Sequence, residues 1–452
     1  MTSTLTRRKL LFASSALGLT LLFRRRTGRA APGDAPPRYL LHIVASGGLD
    51  NIMMFDARPL AMTAAGKIHN PLGEDPTPYV GTNGQTALMA SSAQPLQAVQ
   101  DRFSVINGVL MSTTFDGHDQ NTNLLMSGNP FGGPSFESDV NADGGSPLDY
   151  VRLGDLLSGT LEDTRTIPLT AAGVQQLVAG VGGLDQIGPQ LDTFLHSESL
   201  ALGRPDQRFG AGVTAVDVAN AASIDLRQRI KSIQLETLSD PLDQQLAVIR
   251  EMFRLDIARG ALLAIDGTDL FFDNHAPAQA TTQGPSFVTL SQRIARVFQY
   301  LAATPYDGTR ALIDVTTVVV GTEFGRTMRQ LDNPIDNTGT DHNPLSNSIL
   351  VGGAGIRGGL VIGASDYQSA DEVLSGAHQA LDPDGIKVMG RPFDFSNGVP
   401  RSDLPSAFAA SDYLQIASVI NTIYSLFGVD QSKWRLVERG GDVAPVLSSL
   451  LA

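Results

Sequence analysis

Five short stretches of this chain carry residues that bind metals or move protons. In order they hold Asp50, His118, Asp273 with His275, Glu323 followed by Arg326, and Asp341 with His342. Carboxylates and imidazoles offer the oxygen and nitrogen donors that Zn, Mn, Fe or Ca accept, and this donor set does not choose among those ions. The same groups serve as general acids and bases. Asp273 and His275 are two apart, so on an extended segment both point the same way and reach one ion. A turn with an exposed histidine is the plainer account of that pair taken alone. Arg326 is placed either to clamp an anion with two parallel hydrogen bonds or to fix its own loop by a salt bridge.

The elements that must hold these residues are legible around them. Val315 to Val320 is an apolar, β-branched run and reads as a buried parallel strand. It ends on Gly321-Thr322-Glu323, which puts a carboxylate at the strand's carboxyl end, where open α/β sheets bind ligands. Ser348 to Val351 is a second apolar run, so Asp341 and His342 sit in the loop between two strands. Arg38 to Ala45 is the first strand, leading into Ser46-Gly47-Gly48-Leu49-Asp50; an Asx turn or helix cap is the plainer role for Asp50 taken alone. Phe103 to Val109 is another strand. His118 to Ser127 reads as a helix stopped by Gly128 and Pro130. That sets His118 at a helix N-terminus, where backbone N–H groups and the dipole favour a phosphate or sulfate. There His118 is a ligand, a nucleophile or an acid, or else simply bonds Asp116 or Asp119.

Elsewhere the pattern is helical from Val218 to Leu263, in two helices parted by Pro241, and again over Val288 to Leu301 and Asp412 to Phe427. Residues 66–97 read as a surface loop and 129–149 as a long loop of the kind that is usually functional or mobile. Gly352 to Gly359 contains a formal G-x-G-x-x-G. It leads into Leu360-Val-Ile-Gly363, a strand rather than a helix, so a turn between strands replaces the dinucleotide reading. His42, His69, His196 and His378 lack acidic neighbours at ligand spacing and stay outside the site. Trp434 reads as a packing residue.

The whole composition narrows the function. The chain has 452 residues, 42% hydrophobic and 17% charged, with 46 Gly, 25 Pro and no Cys, so it is a loop-rich globular protein without disulfides or thiolate metal sites. Arg7-Arg8 precede a modest apolar stretch that ends at Phe23 and Arg24-Arg25-Arg26. Gly28-Arg29-Ala30-Ala31 offers small residues for cleavage. Residues 1–30 thus read as a twin-arginine export signal, with an uncleaved N-terminal anchor as the alternative. No later segment is apolar enough to span a bilayer. Seven of the 33 Lys and Arg fall in residues 1–30, which leaves 26 against 46 acidic residues, a net charge near −20. So acidic a mature chain is no nucleic-acid binder.

Ser46-Gly47-Gly48-Leu49-Asp50, Gly117-His118, Phe272-Asp273-Asn274-His275, Thr322-Glu323-Phe324-Gly325-Arg326 and Gly339-Thr340-Asp341-His342 together resemble the alkaline phosphatase–sulfatase superfamily. Within it the chain is most similar to an exported branch, the domain of unknown function 1501 family. The resemblance spans most of residues 38–430. It implies an α/β fold with an alkaline-phosphatase-like, mostly parallel central sheet and helices on both faces. The domain plan it implies is a signal over 1–30 and one domain over 31–452, with a helical insertion at about 186–265. It implies one or two divalent metals, Asp50 and Glu323 holding one, Asp273, His275 and His342 the other, with Asp341 beside His342. His118 takes the nucleophile's place, Phe324 stands where a metal-binding His is usual, Gly117 replaces a Ser, and Asn343 follows His342 in place of a Gly. The implied function is an exported metal-dependent hydrolase or transferase of phosphate or sulfate esters, with a small anionic ester or polymer as substrate. A non-catalytic exported binding or structural protein with a degenerate site is the alternative.

Overall fold

A computed structural model of the chain describes residues 39–64, 70, 72–141, 146–154, 156, 166–184, 225–265, 270, 272–273, 275, 277–327, 340–366, 377–381, 387–435 and 442–452. The export signal expected over 1–30, much of the insertion expected at 186–265, and Gly339 lie outside them. The chain divides into two compact units, one of Met1–Asp34, Asn141–Val151 and Arg165–Arg259, the other of Ala35–Val140, Arg152–Thr164 and Gly260–Ala452.

Every candidate site residue belongs to the second unit, which is organised on a sheet. Its strands are β1 (Tyr39–Val44), β2 (Phe103–Val109), β3 (Ala258–Ala264, in this unit from Gly260 on), β4 (Thr316–Gly321), β5 (Asn347–Gly353) and β6 (Val361–Ile362). They lie in the order β6-β2-β5-β4-β1-β3. β1 runs parallel to β3, with Leu40 opposite Gly260, and to β4, with Tyr39 opposite Thr316. β5 is antiparallel to both β4 and β2, and β6 is parallel to β2. All the strands but β5 therefore point one way. β1, β2 and β4 are buried along their whole length, which is why their sequences are near-continuous apolar runs rather than alternations. This α/β class with a mostly parallel sheet is the one expected from the sequence.

Three helices matter to the site or its support: α1 (His118–Ser127), α2 (Pro277–Ala303) and α3 (Ile416–Phe427). α1 starts and stops where the sequence places it, ending on a left-handed Gly128 whose N–H bonds the Leu124 carbonyl at 2.9 Å. Phe103 of β2 meets Phe298 of α2 at 5.7 Å and Phe55 at 5.9 Å between ring centres, joining strand, helix and the loop after β1 in one core. Trp434 is buried and donates its Nε1–H to the Tyr424 hydroxyl of α3 at 3.0 Å. It packs as expected.

Three expectations fail. Residues 129–149 are not one long loop, because Phe136–Asn141 is a helix and a strand begins at Leu148. The helical pattern does not reach Leu263, because Ala258–Ala264 is strand β3. Its Ala and Leu residues favour a helix by propensity. The chain turns out of the preceding helix through Asp256, at φ 50°, and pairing with β1 decides the rest. Residues 66–97 are not all loop either. Thr77–Val80 and Thr86–Met89 form an antiparallel hairpin whose turn is closed by a 2.8 Å bond from Gly81 N–H to the Gln85 carbonyl. Glycine and asparagine in that turn hid two short strands.

In the first unit, Pro241 opens a helix, Pro241–Arg254, behind an Asp240 cap that accepts from the Asp243 N–H. That helix buries Glu251, which accepts from Arg254 at 2.6 Å, from the Gln234 N–H at 2.9 Å and from Arg250 at 3.0 Å. Among the described residues no helix is long and apolar enough to cross a membrane.

Candidate metal centre

β4 ends at Gly321, and the chain continues through Thr322, Glu323 and Phe324. Gly325 and Arg326 then pair antiparallel with Asn343 and His342. This two-residue ribbon folds His342 back over the end of β4. The turn after β1 lies against the same loop. Gly47 (φ +116°) gives its N–H to Glu323 Oε1 at 2.7 Å. Gly48 sits at φ +73°, and a Cβ there would fall 2.2 Å from Phe324 Cε2, so only glycine lets the two loops meet. α1 delivers His118 from its first turn, and residues 272–275 bring Asp273 and His275.

Four side chains converge. One donor atom each of His118, Asp273, His275 and His342 lies within 4.8 Å of all the others. Asp273 Oδ1 is 3.0 Å from His275 Nε2 and 3.3 Å from His118 Nε2, and the Nε2 atoms of His275 and His342 are 3.1 Å apart. Ligands about 2.0–2.1 Å from a tetrahedral zinc lie roughly 3.4 Å from one another, so the spacing suits one ion. The tautomers suit it too. His342 Nδ1 lies 2.6 Å from the Asp116 carbonyl, which only accepts, so the proton is on Nδ1 and the Nε2 lone pair faces the cluster. His118 Nδ1 lies 2.8 Å from Glu323 Oε1, which turns its Nε2 the same way. That Nε2 is buried and faces Asp273 Oδ1 at 3.3 Å. Imidazoles with one nitrogen on a carboxylate or carbonyl and the other free are typical metal ligands. The four residues thus form a site able to hold a divalent metal.

The charges are strongly coupled. Burial works against charging His118, yet its contacts with Asp273 and Glu323 push it up to about 9. Burial would raise Asp273, but His118 and Arg326 hold it well below the usual carboxylate range. His342 is drawn down to about 4 by burial and by the Arg326 and His118 charges, and is neutral at physiological pH.

The other expected residues stand around this point in different ways. Glu323 is buried and committed, accepting from Gly47 and His118 through Oε1 and from Thr322 Oγ1 at 2.9 Å through Oε2. Arg326 is 1% exposed; it donates to the carbonyls of Gly47 (2.6 Å), Gly48 (3.2 Å) and Thr340 (3.3 Å) and to Asp273. Its guanidinium is spent on fixing loops and a carboxylate. Asp341 lies at the rim, half exposed, 3.9 Å from His275 Nδ1, and accepts from the His342 N–H at 2.8 Å. Asp50 is fully buried. Burial lifts it to about 7 against the pull of Arg326 and the Ile52 N–H. The Phe324 ring lies 4.4 Å from that of His342 and 4.8 Å from that of His118, and walls the site. Thr322, Thr340 and the Asp116 carbonyl were not foreseen. Two of these contributions are main-chain oxygens, which no residue type announces.

Residues 259–380 match the family described as "Protein of unknown function (DUF1501)", the family the sequence resembles. No curated protein matches the chain. Among solved structures the chain aligns with the C-terminal periplasmic domain of EcEptC from Escherichia coli in complex with Zn. The identity is 10% over 92% of this chain and 88% of that one, at a TM-score of 0.38. It aligns with the lipoteichoic acid synthase LtaP from Listeria monocytogenes at 8% identity over 78% and 74% of the two chains, TM-score 0.30. The PsFucS1 sulfatase from Pseudoalteromonas sp. aligns at 10% identity over 90% and 74%, TM-score 0.30.

Proposed function

We propose that this chain is an exported, metal-dependent hydrolase or transferase of phosphate or sulfate esters. Asp273, His275 and His342 hold the metal, and His118 stands at the same point. The convergence of these four side chains carries the reading. A divalent ion held there would polarise the ester and offset charge developing on it. The chain's own residues do the rest. Arg326 fixes the carboxylate of Asp273, Asp116 fixes the tautomer of His342, and Glu323 turns His118. The first turn of α1 faces an anionic group with its N–H groups and the positive end of its dipole. Phe324 keeps water from one side of the site. The arginine pair in the first ten residues supports export. Export should stop when Arg7 and Arg8 are replaced by lysine.

A second reading, an exported binding protein with no turnover, is favoured by one observation: an aromatic ring, Phe324, packs against two of the histidines. Elemental analysis of protein matured through its own export route, followed by assays with generic phosphate and sulfate monoesters and diesters, separates the readings. Bound metal with turnover supports the enzyme, and bound metal without turnover on any ester supports the binding protein. Protein that holds no metal and regains none on addition sinks the metal centre altogether.

A further inference from the structure

His118 stands at the helix start where a nucleophile is expected, and the surroundings of its ring argue for another role. We infer that His118 is itself a metal ligand, oriented by Glu323, and that the chain forms no covalent phosphohistidine. This inference rests on the metal-centre reading above. Three observations carry it.

First, both ring nitrogens are committed. Nδ1 faces Glu323 Oε1 at 2.8 Å and donates its N–H to that carboxylate. That leaves Nε2 as the only lone pair. Second, Nε2 does not point into open space where a tetrahedral phosphorus or sulfur could approach in line. It is buried, 3.3 Å from Asp273 Oδ1, in the same small volume as the donor atoms of His275 and His342. An imidazole nitrogen at ligand spacing from a carboxylate and two further imidazoles completes a four-donor set; its lone pair would then be used by the ion, and an ester oxygen would join as a fifth ligand. Third, Glu323 is built as a support. It is 1% exposed, and its oxygens are fixed by the Gly47 N–H at 2.7 Å and the Thr322 hydroxyl at 2.9 Å as well as by His118. A carboxylate so held sets the ring's tautomer and direction, as carboxylates behind metal-bound histidines do. Glu323 is then a positioning residue that acts through His118.

Zn(II) and Co(II) binding to the full-length protein tests this without any assay of turnover. Calorimetry should show His118→Ala binding Zn(II) at least 100-fold more weakly than wild type, and Glu323→Gln about 10- to 100-fold more weakly. His275→Ala serves as the reference for a lost ligand. His118→Cys gives a direct readout that does not depend on the alanine variant folding. The chain contains no cysteine, so a thiolate-to-cobalt charge-transfer band in the Co(II) form can come only from residue 118. Glu323→Gln should alter the Co(II) visible spectrum while its melting temperature stays near that of wild type. A merely structural role for Glu323 would move the second and not the first.

The outcomes separate. Wild type that binds no Zn(II) removes the proposed metal centre and this inference together. If wild type binds and His275→Ala does not, unchanged affinity in His118→Ala overturns the inference alone. So does a Co(II) form of His118→Cys without the band. Recovery of an acid-labile phosphoryl group on His118 after rapid quenching with a phosphate ester also overturns it.

Discussion

The Nε2 atoms of His275 and His342 stand 3.1 Å apart. The ring proton of His342 is on Nδ1, where it meets the Asp116 carbonyl, so His342 can offer only a lone pair to its neighbour. A divalent ion would take that lone pair together with the one on His275. A ligand that binds the folded state alone stabilises it by mass action. Zn(II) at a hundred times its Kd should therefore raise the free energy of unfolding by about 2.7 kcal/mol. The gain should vanish in His275→Ala and His342→Ala and on adding a chelator. Denaturant titrations with and without Zn(II) check this, and an equal gain in His342→Ala would place the metal elsewhere.

Arg326 ties both glycine carbonyls after β1, the Thr340 carbonyl and Asp273 to one planar guanidinium. Lysine keeps the charge and loses the fork, so Arg326→Lys is not conservative here. Arg326→Met leaves the half-buried carboxylate of Asp273 and three carbonyls short of donors. We expect Arg326→Met to lower unfolding stability by about 3–5 kcal/mol, and Arg326→Lys by a smaller amount in the same direction. The loss should be the same with and without a bound anion. Stability that fell only when phosphate or sulfate was present would instead mean that Arg326 contacts the ligand.

The parts legible in the sequence are those whose reasons are local. Strand β4 announces itself by an unbroken β-branched run, and α1 by Gly128 at its end. Asp273 and His275 are neighbours in the sequence and meet at 3.0 Å. The parts that were not legible depend on partners far along the chain. Nothing near Glu323 says that its carboxylate will serve His118, 205 residues away. Nothing near Arg326 says that its donors are taken by Gly47 and Gly48. β3 misled for the same reason, since Ala-Leu-Leu-Ala is helical by propensity and a strand only beside β1. The pairing of Asp50 with Glu323 on one ion, implied by resemblance, meets a Glu323 whose oxygens are already bonded to protein groups.

Gly48 offers a test of whether the wall of the site matters to metal affinity without touching a ligand. Its φ of +73° disfavours any side chain, and a Cβ would press into the Phe324 ring. That ring lies against His118 and His342. Gly48→Ala should cost more than about 1 kcal/mol of stability, the scale of a mismatched glycine replacement. It should also weaken Zn(II) binding through the displaced rings. Calorimetry and urea unfolding read the two effects separately. A variant that loses stability but binds Zn(II) like wild type would show that Phe324 packs beside the histidines without positioning them.

Asp50 gives the clearest dependence on pH. Its carboxyl is buried, and its folded value is raised from 3.8 to about 7. The folded state thus holds a proton that the unfolded chain has already released, and stability falls as pH rises between those values. The effect is complete above about 7 and absent below about 4. At 1.36 kcal/mol per unit the loss is on the order of 2–4 kcal/mol. Asparagine keeps the shape and removes the charge. Asp50→Asn should therefore make the metal-free protein more stable than wild type at pH 8, by roughly 1–3 kcal/mol after the new amide's own unmet hydrogen bonds are counted. At pH 4 it should make it no more stable. Urea unfolding of both proteins at the two pH values, in the presence of a chelator, measures the difference. A variant less stable than wild type at pH 8 would mean that the ionised carboxylate of Asp50 has a favourable partner in the fold, and that its burial is not the cost argued here.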